Sequence, residues 1–226
     1  MMSDTTSSSL RTAAIFVFIG FLMTLGMVAE TLLNTDAVNL YTVNDIQSII
    51  DGLVASTPFT IQFSLAGLVF DCFFIIGYLS IFYALYVLTK ERDLVLPKLA
   101  FALGFTTGVT DLVENAIHVS LLTGVPNGWV PDALVFSNAW TVTFVKDLSS
   151  YMAGMIFVVL LLMTLGIPPV LRTPKLVLTI LLGLYVVLGC IAVVFPPFLT
   201  LRNLSFMIDM LLGSLMLSNM ATRIAT

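Results

Sequence analysis

A chain of 226 residues that is 59% hydrophobic and only 10% charged, with a mean hydropathy of +1.08, lies outside the range of soluble domains. Its net charge of −4 reflects a scarcity of bases, and these form no basic patch, so nucleic acid is excluded as a partner. Several apolar runs reach the roughly 20 residues that a bilayer core needs, which points to an all-α, polytopic membrane protein.

Taken in order, residues 1–12 are rich in Ser and Thr, show no periodicity and read as a disordered tail. Residues 13–224 then read as one transmembrane domain of six helical spans. The first runs from about Ala13 to Leu33. It is too long for the apolar region of a signal peptide, and Gly26-Met27-Val28-Ala29 offers no small-x-small cleavage site, so a retained helix is expected. Residues 34–58 carry Asp36, Asp45 and Asp51 but no Lys or Arg. Within them Ile46, Ile49, Ile50 and Leu53 repeat at helical spacing. Thr42 and Asp45 form a capping-box pattern ahead of that run, predicting a short amphipathic helix on the membrane surface.

Thr57-Pro58 supplies an N-cap and a first-turn proline for span two, about Phe59 to Leu88. A charged turn, Lys90-Glu91-Arg92-Asp93, leads to span three, about Pro97 to Leu122. Span four covers about Ala139 to Leu165 and stops at Pro168-Pro169. Span five covers about Leu176 to Phe195 and stops at Pro196-Pro197. Span six covers about Leu204 to Ala221. In this layout Arg11, Lys90, Arg92, Lys98, Arg172, Lys175 and Arg223 fall on one side, and only Arg202 falls on the other. The positive-inside rule then places both termini in the cytoplasm, in a cell membrane of the bacterial inner-membrane type. Trp129 and Trp140 fall at the outer interface, where aromatic belts form.

The chemistry is concentrated in span three. Asp111, Glu114, Asn115 and His118 stand at i, i+3, i+4 and i+7, within an arc of roughly 100° on an otherwise apolar helix. Glu30, Asp71, Asp147 and Asp209 add acids on four other spans, and Lys146 is the one base within a span. An ionisable residue at a helix centre costs about 2.5–3.5 kcal/mol on insertion scales, so such groups pair, face water or lose their charge. By depth all of these acids fall in the outer half of the membrane, and Lys146 is expected to pair with Asp71, Asp111 or Glu114. The ligand- or proton-binding set is therefore Asp71, Asp111, Glu114, Asn115, His118, Lys146 and Asp147. Glu30, Tyr78, Ser150, Tyr151 and Asp209 are secondary members.

A lone histidine argues against a His-rich zinc site and no metal is expected, a carboxylate-rich metal site being the weaker alternative. No cofactor is expected either, because six spans with a lysine in the fourth do not match the seven-helix retinal proteins. Cys72 and Cys190 read as small apolar side chains rather than a disulfide pair. Three function classes fit. The first is an outward-open polar pocket that binds a small ligand, cation or proton, as in a transporter. The second is acid–base chemistry on a lipid entering from the outer leaflet. The third is an accessory or structural subunit whose Lys–carboxylate network fixes helix packing. Membrane lipids and a small polar or lipid ligand are the expected partners, and the pattern sets no oligomeric state.

Overall fold

The computed structural model describes residues 4–40, 46–91, 95–166, 168–195 and 198–225. Seven α-helices appear among them: α1 Asp4–Leu33, α2 Ile46–Ala55, α3 Pro58–Thr89, α4 Leu96–Gly124, α5 Ala133–Met163, α6 Arg172–Val194 and α7 Phe198–Ala225. No strand occurs among the described residues. Thr57 caps α3 as expected, its Oγ1 accepting from Thr60 N at 3.1 Å, with Pro58 in the first turn. Asp132 does the same for α5, accepting from Val135 N at 3.1 Å. The capping box expected at Thr42 and Asp45 lies outside the described residues, and α2 is described from Ile46.

The six long helices close into a ring. Each is packed against its neighbours in the order α1, α3, α4, α5, α6, α7 and back to α1, and α3 also reaches inward to α5 and α7. From α3 onward consecutive helices are neighbours joined by short connections, which makes them antiparallel, while the longer α1–α3 connection carries α2. The inside-out distribution follows from the solvent this surface fits. Large apolar side chains stand exposed on all six long helices, among them Phe16, Phe73, Phe105, Phe144, Ile180 and Leu215. Asp111, Glu114, Asn115, His118, Ser149, Ser150 and Asp209 are buried instead. Five of the helices, α1, α3, α5, α6 and α7, are long and apolar enough to cross a membrane. α4 has 29 residues, about 44 Å at 1.5 Å per residue, and differs in carrying the polar stripe.

Two differences from the sequence reading position the site. Residues 4–12 are the first turns of α1 and not a disordered tail. Ser7 Oγ donates to Ala221 O at 2.7 Å and Leu10 is fully buried, so packing on α7 overrides the weak helix propensity of the Ser/Thr run. α5 begins at Ala133, six residues before the expected span, and this sets Lys146 near the helix middle. α2 turns Ile49 and Leu53 onto Leu121, Leu122, Val125 and Phe136, so it covers one end of the ring. Trp140 is half-buried beside Phe136 in that cluster, whereas Trp129 is 39% exposed.

Candidate functional site

The polar stripe of α4 faces the ring interior, and α3 and α5 close on it from either side. Gly104 and Gly108 permit the approach of α3: a Cβ on Gly108 would lie 2.9 Å from Leu79 Cδ1. Lys146 on α5 extends to α4 and bridges two carboxylates. Its Nζ lies 3.0 Å from Asp111 Oδ1 and is in close ion-pair contact with Glu114 Oε2. Thr143, one turn before Lys146 on the same face, donates from Oγ1 to Glu114 Oε1 at 2.6 Å. Tyr78 on α3 donates from its hydroxyl to Asp111 Oδ2 at 2.9 Å. Asp71, two turns earlier on α3, accepts from Asn115 Nδ2 at 2.7 Å. Below the triad, Thr107 and Ser149 share a hydrogen bond of 2.9 Å that ties α4 to α5.

Lys146, Asp111, Glu114, Tyr78 and Thr143 thus form one connected network across three helices, and Asp71 and Asn115 form a second hydrogen-bonded pair between α3 and α4. Taken together their charge is unbalanced, with three carboxylates against one ammonium. The network is also closed. Glu114 is 0% exposed, and His118, one turn further along the stripe, is buried beneath the Leu121–Leu122 end that α2 covers. The Lys146 side chain is 19% exposed. Such a site can hold a proton or a small cation beside Lys146. Among the described residues, no three His, Cys, Asp or Glu side chains are grouped to hold a metal ion.

The other expected site residues do not join this network. Adjacent positions on a helix point about 100° apart, so Lys146 turns to α4 while Asp147 turns to α7. There Asp147 Oδ1 pairs with Arg202 Nη1 at 3.1 Å, and the same nitrogen donates to Tyr151 Oη at 2.7 Å. Ser150 and Tyr185 share a 2.7 Å hydrogen bond between α5 and α6. Glu30 accepts from Asn34 Nδ2 at 2.9 Å, and that amide also reaches Ser64 Oγ at 2.9 Å, joining α1 to α3. Asp209 on α7 is 8% exposed, and both of its carboxylate oxygens are buried without a hydrogen-bond partner. The single convergent cavity expected from charge depth is therefore divided into separate groups by the ring order. Cys72 and Cys190 are both free thiols.

Sequence reasoning missed two bases. Arg202 counts as an outer-side charge in the span layout, yet α7 starts at Phe198 and carries it into the ring. Lys175 counts as a loop charge at the other end, yet it is 1% exposed and donates to Thr164 O at 3.1 Å, satisfying a carbonyl at the end of α5. The signal for Arg202 lies in Asp147 and Tyr151, an i, i+4 pair that needs a cation. No protein-family model matches this sequence, and no curated protein or solved structure is similar to it.

Proposed function

We propose that this chain is a six-helix integral membrane protein of the cell membrane, with both termini cytoplasmic. In this reading the Asp71–Asp111–Glu114–Lys146 group binds a proton or small cation and exchanges it with the outer side, as in a cation-coupled transporter. One observation carries the proposal: three interior carboxylates stand against a single ammonium, with Asp111 and Glu114 both on Lys146 and Asp71 hydrogen-bonded to the Asn115 amide. Excess buried acid is a costly way to build a bundle, so a mobile positive charge completes it. The described bases support the orientation. Arg11, Lys90, Lys98, Arg172, Lys175 and Arg223 lie toward the end of the ring that carries the termini, and Arg202 lies toward the α2 end. α2 then serves as the cover that moves when the outer side is open.

The experiment reconstitutes the chain in liposomes containing a pH-sensitive dye and imposes an inward proton gradient. Wild-type protein is expected to pass protons faster than protein-free vesicles, and Asp111→Asn is expected to remove the difference. Equal rates for the two proteins would refute the proposal. For topology, single cysteines replacing Asp36 and Lys90 in a background lacking Cys72 and Cys190 are treated with an impermeant maleimide on intact cells. Labelling at 36 and protection at 90 is the expected result.

A second reading draws on the network's connectivity. Tyr78, Thr143 and Asn115 each donate to one of its carboxylates, as in a network that specifies helix register. It is favoured if Asp111→Asn and Lys146→Met lose stability and the wild type moves no protons.

A further inference from the structure

Between α3, α6 and α7 lies a second, separate feature: a cavity of about 40 Å³. Its walls include the rings of Tyr78, Phe82, Tyr185 and Phe206, and its one ionisable carboxyl group is that of Asp209. Asp209 sits twelve residues into the 28-residue α7, near the helix centre, where an unpaired carboxylate is costly to insert. Neither of its oxygens has a partner among the described residues. Ser205, one turn earlier on the same face of α7, is 6% exposed, and its hydroxyl also has no partner. Three buried oxygen acceptors on one face, next to an aromatic-walled space, make a specific chemical demand. A primary ammonium offers three N–H donors and a positive charge that aromatic faces attract. A water needs about 10–15 Å³ of such space, so the cavity admits one small head group and no more. Ile81, Leu181, Leu182 and Phe206 on its lining are only half-buried, which opens it toward the apolar outside of the ring.

We infer that this cavity binds the head of an alkylammonium amphiphile, with the primary ammonium on Asp209, the aromatic rings around it and the alkyl chain directed toward lipid. The site is independent of the proton-exchange proposal. It touches that network only through Tyr78, whose ring lines the cavity while its hydroxyl holds Asp111.

The test uses the full chain in phosphatidylcholine nanodiscs, titrated calorimetrically with hexylammonium against empty nanodiscs. One saturable site per chain is expected, weakened at least tenfold by Asp209→Asn. Hexanol and hexyltrimethylammonium, which lack the charge and the N–H donors respectively, are expected to bind at least tenfold more weakly. A Cβ on Gly213 would lie 4.0 Å from Ile81 and Leu178, so the backbone tolerates a side chain there, and Gly213→Leu fills the cavity while leaving the Asp209 carboxylate in the chain. It should abolish binding as well. Asp209→Asn removes an unpaired buried charge, so its melting temperature should equal or exceed that of wild type, which separates lost binding from lost fold. Absence of a saturable site, equal binding by Asp209→Asn, or equal binding of hexanol or hexyltrimethylammonium would each overturn the inference.

Discussion

Replacing Lys146 with Met removes the one ammonium that two buried carboxylates share, at nearly constant side-chain length. The carboxylates are poorly placed to recruit water in its stead, since the Glu114 side chain is 1% exposed and that of Asp111 is 8% exposed. Removing one partner of a buried ion pair costs about 3–5 kcal/mol, most of it from the charge left behind. Lys146 is itself 19% exposed, which sets the expected loss toward the lower end of that range. For a domain of this size each kcal/mol shifts the melting temperature by about 2–4 °C, so a fall of roughly 6–12 °C is expected. Adding Glu114→Gln to Lys146→Met should recover about half of it, because the most deeply buried uncompensated charge is then gone. Adding Asp111→Asn should recover less, because Tyr78 still donates to Asp111 in the single variant. The assay is a thermal melt of purified protein in one mild detergent at fixed pH and protein concentration. A Lys146→Met protein that melts within 2 °C of wild type, or a double variant no better than the single, would show that Lys146 does not balance these carboxylates.

Other perturbations test the remaining contacts. Arg202→Gln removes the cation that joins Asp147 to Tyr151, and a loss of about 1.5–3 kcal/mol in detergent-unfolding titrations is expected; no loss would mean the pair is solvated. A Cβ on Gly77 would lie 2.7 Å from the Cα of Gly20, so Gly77→Val must push α1 from α3, costing about 1–3 kcal/mol in the same titration. Leu53 is fully buried under α2, so Leu53→Ala should cost about 2–5 kcal/mol locally. Hydrogen exchange should accelerate in residues 46–55 and not around Phe157; uniform acceleration would contradict a separable α2 cover.

Much of the architecture is written locally. Apolar run length marked the six long helices to within a few residues at most ends, since a span needs about 20 apolar residues wherever its neighbours lie. The 3.6-residue repeat likewise put Asp111, Glu114, Asn115 and His118 on one face, and all four are buried on it. Thr57-Pro58 marked the start of α3 because a cap satisfies backbone groups within its own turn. The sequence also identified Lys146 as the base the interior acids require.

Which acid meets which base is a different kind of information, and only the ring order of the helices decided it. Lys146 and Asp147 are neighbours in the chain, yet one belongs to α4 and the other to Arg202 of α7. Asp71 and Asp209 both read as interior acids of the outer half, yet one has Asn115 opposite and the other lines an aromatic-walled cavity. The Ser/Thr-rich start of α1 is helical because α7 lies beside it. Local rules fix where a side chain points around its own helix axis. The partner it finds there depends on packing between segments far apart in the chain, and no local periodicity encodes that.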